Sequence, residues 1–299
     1  MAAPSSAARE PAHAREGLES LNARGFDVVT SRELDGPPVG YLSDSDEVRA
    51  EELNDFLRRD DIDAIFCLRG GYGAHRILEV IDYDAARQHP KLLVGYSDIT
   101  ALQLALLTKS GVPSISGPMV APDWPRINHD TEDLFWKIAG GKAPVELQLP
   151  ESEPLSVIKK GATEGMLIGG NLTILCSLLG TPYLPDFSGA ILFLEDVGEP
   201  PYKIDRMLAQ LKLAGILEQL GGLVLGAFTC VEPTPPLPTL SIDEVLHHYA
   251  GFVNGPVVGG FAYGHFPNKC TVPIGVQASL ETHNETATLV VTEAITRHV

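Results

Sequence analysis

Through the first half of the chain, short apolar runs alternate with stretches whose apolar residues recur at helical spacing. Phe26–Val29, Ala64–Leu68 and Leu92–Tyr96 are runs of strand length, whereas Glu16–Arg24, Ala74–Ile81 and Ile99–Lys109 read as helices. Asp44–Arg59 sets Val48, Leu53 and Phe56 among charged residues, the pattern of a helix with a solvated outer face. Strands alternating with helices predict an α/β fold built on a parallel sheet covered on both faces. A buried opening strand is expected in such a fold, and Met1–Pro4 leaves little room for one, so that strand is expected to be cut short.

The texture changes between Gly140 and Lys160 to polar residues and prolines without helical periodicity. The predicted organisation is therefore an N-terminal domain over residues 1–145, a connection at 146–160 and a C-terminal domain over 161–299. In the second domain Gly165–Leu167, Ala190–Glu195, Leu223–Phe228 and Val257–Gly259 read as strands, and Asn171–Leu179 and Tyr202–Leu213 as helices. Val272–Val276, Ala278–Glu281 and Ala287–Val291 read as antiparallel strands, and Pro233–Pro238 as a surface loop.

Composition narrows the possible partners. Thirty-nine acidic against 22 basic residues give a net charge of −17 in a chain that is 44% hydrophobic, a globular composition. Such a balance repels nucleic-acid phosphates and anionic membrane surfaces, so neither is expected as a partner. No run approaches the roughly 18 apolar residues of a membrane span. The opening residues lack the basic region and apolar run of a secretory signal. Cys67, Cys176, Cys230 and Cys270 lie far apart without a CxxC pair, as expected of buried thiols in a reducing compartment. A cytoplasmic protein is expected.

Four segments carry possible chemistry. In Leu93–Thr100 a buried strand ends at Ser97 and a helix follows. Two readings stand: an N-cap for that helix, or a nucleophile pushed outward at a sharp strand-to-helix turn, where the next backbone N–H groups face the same space. Arg69–Gly73 (RGGYG) is a glycine turn at another strand end. It lacks the endings of a phosphate loop and of a dinucleotide site. Ile191–Glu195 delivers Glu195 and Asp196 to the end of an apolar strand, where a carboxylate needs a partner such as a histidine to orient. Glu199 is a rival for that role. Among nine histidines, His265 sits in a tight loop between Gly264 and Pro267, and His75 is a minor candidate. A structural role or metal ligation is open to His265, although no HxH or HExxH partner accompanies it. A serine, a carboxylate and a histidine, all at strand ends or adjacent loops, are what acyl transfer requires.

The segments GYLSDSDEVRAEELNDF, CLRGGYGAHRIL, GYSDITALQLAL, GGNLTIL, GTPYLPDFSGAILFLEDVGEPPYKIDRMLAQL and GHFPNK, in this order, resemble the LD-carboxypeptidases. These are serine peptidases that also include the microcin C immunity proteins. The resemblance runs from about residue 40 to about residue 270. It implies an N-terminal Rossmann-like domain and a smaller, mostly β C-terminal domain. It further implies a triad of Ser97, Glu195 and His265, with the backbone N–H groups of Gly71 and Asp98 as oxyanion hole. The implied reaction is hydrolysis of an L-to-D peptide bond, releasing D-alanine from a murein tetrapeptide in cell-wall recycling. No cofactor or metal is implied, and a homodimer is suggested. Binding the terminal carboxylate needs a cation, for which Arg69 and Arg206 are both open. Three other readings stand beside this one: a peptidyl-nucleotide hydrolase of the immunity kind, a non-catalytic Rossmann-like nucleotide-binding module, and a metallohydrolase built on His265.

Overall fold

The apolar runs at Ala64–Phe66 (β1), Leu92–Gly95 (β2) and Ser114–Ser116 (β3) pair in parallel as the floor of the first half of the molecule. The structure is a computed structural model that describes residues 1–30, 36–230 and 238–295. Helices Pro11–Asn22 (α1), Asp46–Arg58 (α2), Tyr83–Gln88 (α3), Thr100–Ser110 (α4) and His129–Ala139 (α5) belong to the same half. Ser45 caps α2 by accepting the Val48 N–H at 3.3 Å, with Asp46 and Glu47 in the first turn and Arg58 in the last, each charge matched to the helix dipole. Ala74–Val80, read as a helix, is a 3-10 helix.

The opening residues occupy the sheet position beside β1. The Ala2 N–H donates to Phe66 O at 3.0 Å, and the Leu68 N–H to Ala2 O at 2.7 Å, which forms a parallel bridge between Ala2 and Cys67. Phe26–Val29, expected as a strand, forms none. Its bond to this edge runs from the Met1 amino group to Val29 O at 2.6 Å, and Phe26 is instead stacked on Trp136 with ring centroids 5.1 Å apart. α1 begins at Pro11, five residues before the expected start, because proline suits the first turn of a helix.

The second half is built from Val145–Glu146 (β4), Leu155–Lys159 (β5), Ala162–Asn171 (β6), Ile191–Val197 (β7), Gly222–Thr229 (β8) and Val257–Gly259 (β9). Val272–Ile274 (β10), Val276–His283 (β11) and Thr286–Val291 (β12) complete the strands. β6 to β9 run parallel in sequence order, while β5, β12 and β11 pair antiparallel. Pairing of β11 with β12 closes seven strands into a barrel, and β4 adds to β12 from outside the ring. β7 lies between two parallel neighbours and is buried from Ile191 to Asp196, which explains its unbroken apolar run. Leu172–Ser177 (α6), Pro201–Leu213 (α7), Ile216–Gln219 (α8) and Ile242–Ala250 (α9) lie between the strands.

Two features cross the expected connection at 146–160. Leu155–Lys159 in that stretch is strand β5, hydrogen-bonded to β9 and β12, although no alternation announces it. β10 from the far end of the chain pairs antiparallel with β3 and so completes the sheet of the first half. Of the proline-rich loop Pro233–Pro238, only Pro238 lies among the described residues. Among them, no helix is long and apolar enough to cross a membrane.

Candidate active site

β2 ends at Gly95, Tyr96 is still extended, and Ser97 turns to φ 64°, a left-handed conformation that costs a non-glycine residue about 1–2 kcal/mol. A 3-10 turn over Ser97–Ile99 then leads into α4. Ser97 makes no side-chain cap to either helix, so its hydroxyl is not spent on the backbone. It lines a cavity of about 220 Å³ together with His265, Arg69, Gly70 and Gly71.

The RGGYG loop forms the facing wall. A Cβ on Gly70 would stand 2.9 Å from Ser97 Cβ and 3.1 Å from its Oγ, so only glycine leaves the hydroxyl its room. Asp98, wholly buried, fixes this loop to the serine turn. Its Oδ2 accepts the Ala74 N–H at 2.9 Å and the Ser5 hydroxyl at 2.6 Å.

The second half supplies the rest. β7 carries Glu195 inward, where it is 1% exposed, and its Oε2 lies 2.8 Å from His265 Nδ1. A carboxylate only accepts, so Nδ1 carries the proton and Nε2 is left as the basic nitrogen. Asn171, at the end of β6, donates from Nδ2 to Glu195 Oε1 at 3.0 Å, while its Oδ1 accepts the Ile174 N–H at 3.1 Å as the cap of α6. A Cβ on the preceding Gly170 would meet the Thr100 side chain at 2.6 Å, and Thr100 Oγ1 accepts the Asn171 N–H at 3.3 Å. The two halves therefore touch directly behind the serine. Asp196 shares the Asn171 Nδ2 donor at 3.3 Å and otherwise accepts from Thr173 N at 2.9 Å and Thr173 Oγ1 at 2.8 Å, and burial pushes its carboxyl above the usual range.

Tyr96 stands edge-on to His265, ring centroids 5.2 Å apart at 70°. Burial pushes its phenol far up, so it stays protonated. Arg69 reaches the cavity with one guanidinium bond, to Ala7 O at 3.1 Å, and burial and then Arg9 pull its pKa down. A desolvated guanidinium without a carboxylate partner among the described residues is suited to an anionic ligand.

The structure thus brings Ser97, His265, Gly71 and Arg69 to one cavity, with Glu195 behind the histidine and the Asp98 amide directly after the serine. It leaves the rivals elsewhere. Glu199 pairs with Lys203 at 2.9 Å on α7, and the Arg206 guanidinium lies 5.6 Å from the Tyr202 ring centroid. Neither lines the cavity. His75 holds Ser177 Oγ at 2.6 Å. Among the described residues, no three His, Cys, Asp or Glu side chains converge as a metal-binding group. Sequence reading missed Asn171, Asp123 and Lys269. Asn171 and Lys269 sit inside the GGNLTIL and GHFPNK segments, but nothing local to those segments assigns them partners.

Comparison with known proteins places the sequence and the fold among relatives. The family profile described as the LD-carboxypeptidase N-terminal domain matches residues 1–117, and that of the LD-carboxypeptidase C-terminal domain matches residues 164–280. The chain is 38% identical over 253 residues to a probable murein peptide carboxypeptidase of Bacillus subtilis, covering 84% of this chain and 78% of the relative. It is 30% identical over 299 residues to the microcin C7 self-immunity protein of Escherichia coli, covering 90% of this chain and 85% of that protein. The crystal structure of a muramoyltetrapeptide carboxypeptidase from Oxalobacter formigenes superposes with a TM-score of 0.84 at 31% identity, over 99% of this chain and 98% of that one. With the two domain profiles matched in order and relatives this similar over most of their length, the chain belongs to the LD-carboxypeptidase family.

Proposed function

We propose that this protein is a serine carboxypeptidase that hydrolyses the L-to-D peptide bond of murein tetrapeptides, with Ser97 as nucleophile, His265 as base and Glu195 as the acid that orients it. The observation that carries this reading is the 2.8 Å bond from His265 Nδ1 to the buried Glu195, with that imidazole and a strained serine lining one cavity.

His265 Nε2 takes the proton of Ser97 Oγ as the oxygen attacks the carbonyl carbon. The resulting oxyanion is held by the N–H groups of Gly71 and Asp98, an interaction for which one lost donor typically costs about 3–4 kcal/mol. Glu195 stabilises the imidazolium. The C–N bond then breaks, His265 returns the proton to the leaving amine of D-alanine, and Ser97 carries the acyl group. Water repeats the sequence: His265 accepts its proton, the oxygen attacks the ester carbonyl, and Ser97 leaves reprotonated. Arg69 binds the terminal carboxylate; its place on the cavity wall, where Arg206 is absent, supports that choice. Residues 1–145 form the domain bearing the nucleophile and 161–299 the domain bearing the acid and base, joined through 146–160.

The experiment is incubation with a murein tetrapeptide and, separately, with a peptidyl-adenylate analogue. The second substrate tests the reading favoured by the likeness to the self-immunity protein. Release of D-alanine, abolished in Ser97→Ala, is expected; exclusive turnover of the analogue overturns the substrate assignment. We read the enzyme as cytoplasmic, in support of which all four cysteines are free thiols, and as a homodimer on the family resemblance, which sedimentation equilibrium tests.

A further inference from the structure

We infer that Lys269 and Asp123 form a buried latch that positions His265 against Ser97 across the two halves of the molecule. The inference rests on the triad proposed above and assigns a role to charged groups that the mechanism leaves unused.

His265 and Ser97 come from opposite halves, so their alignment depends on what ties the histidine loop to the serine side. Lys269, four residues after His265 in the same loop, is 2% exposed, and its Nζ donates to Asp123 Oδ1 at 2.7 Å. Asp123 is itself immobilised on the first half. Its Oδ2 accepts the Met119 N–H at 2.8 Å, and the turn it closes is bonded to the end of β1 through Val120 N to Cys67 O at 3.1 Å and Ala121 N to Leu68 O at 2.9 Å. The Lys269 ammonium also lies 4.0 Å from the Tyr96 ring centroid, and that ring packs edge-on against the His265 imidazole. Tyr96 is the residue immediately before Ser97. One ammonium therefore touches the anchor of the first half and the ring that packs against the base, on the residue next to the nucleophile.

As a source of stability this pair is a poor choice. Desolvating two charges offsets most of their attraction, and apolar residues of the same shape do as well or better. What the pair supplies is direction. The ammonium takes one place between a fixed carboxylate and an aromatic face, and the loop that bears His265 follows it. Lys269 and Asp123 are positioning residues, since neither reaches the reacting atoms.

The test is inactivation by a small fluorophosphonate, which reads the Ser97–His265 pair without depending on the peptide substrate. Removing one charge alone strands the other, so the decisive variant is Lys269→Met with Asp123→Asn, in which the asparagine still accepts from Met119. The expected result is a folded protein whose limiting inactivation rate falls by about 10²-fold, the cost of a small misplacement of a catalytic group. Its reversible association constant should stay within a factor of about three. Inactivation at the parent rate overturns the latch. So does a proportionate loss in both constants accompanied by a lower melting temperature, which marks a merely structural pair. A parent protein that is not labelled, or a Ser97→Ala variant labelled like the parent, refutes the triad itself, and the latch falls with it.

Discussion

Asn171 holds Glu195 by one carboxylate oxygen and thereby presents the other to His265: Nδ2 to Oε1 is 3.0 Å, and Oε2 to His265 Nδ1 is 2.8 Å. The same asparagine caps α6 with its carbonyl, so the register of that helix and the rotation of the Glu195 carboxylate are set by a single side chain. Replacing it by serine separates the two roles, because serine retains a capping oxygen and loses the amide donor. A hydrogen bond to a charged group is worth about 1.5–3 kcal/mol. Asn171→Ser should therefore lower kcat by about 10- to 100-fold, with only a small change in melting temperature. Tetrapeptide hydrolysis at the parent kcat excludes this role for the asparagine.

Gly70 is expected to be intolerant for a reason unrelated to backbone freedom. The obstacle is the side chain opposite, whose Cβ a new methyl would meet at 2.9 Å. Gly70→Ala should fold with near-parent circular dichroism and lose about 10²-fold in kcat/KM as the serine hydroxyl is displaced. An alanine variant as active as the parent removes the proposed crowding.

Ser97 offers a test of strain. Glycine normally makes a folded chain less stable than alanine by about 0.5–1 kcal/mol, but at φ 64° alanine retains a Cβ penalty of about 1–2 kcal/mol that glycine escapes. Both variants should be inactive, and Ser97→Gly should melt no lower than Ser97→Ala. The ordinary ranking, with alanine clearly the more stable, contradicts a strained nucleophile turn.

Acid stability should register the tie between α1 and α5. The Arg24 guanidinium forks onto Glu132, with Nη2 2.6 Å from Oε2, and Trp136 Nε1 adds a bond to Oε1 at 3.1 Å. Arg24 first, then Trp136, holds the Glu132 carboxyl below its usual range. A carboxyl depressed on folding stabilises above its unfolded value of about 4.3, and that contribution is lost as pH falls through the folded value. Glu132→Gln should therefore cost about 0.5–1 kcal/mol at neutral pH, and the difference should close by about pH 2. Denaturant titrations at both pH values read this, and an equal deficit at each assigns the effect to lost packing.

Most strands were legible in the sequence because burial on both faces leaves an unbroken apolar run. β7 is the plainest case: it has parallel neighbours on either side, and its apolar run could be read as far as Glu195, two residues short of its end at Val197. Ser97 was legible for a related reason, since it stands just past the end of a strand, and His265 because Gly264 and Pro267 mark a tight loop beyond β9. β5 was not, because it is stabilised by β9 and β12, far along the chain, and its own residues carry no alternation. Phe26–Val29 failed in the opposite sense: it has the composition of a strand but no ladder to join. A strand needs a partner as well as a propensity.

The amino-acid order alone therefore determined the α/β class, the placement of serine and carboxylate at strand ends and of histidine in a loop, and the net acidity. The tertiary structure decided which carboxylate meets the histidine, since Glu195 and Glu199 differ locally by only four positions but point to different partners. It likewise decided that Lys269 finds Asp123, 146 residues away, and that β10 returns to the sheet of the first half. Periodicity and turn chemistry act between neighbours, and sequence records them. The pairing of buried charges is chosen by which groups the closed fold leaves within reach of one another.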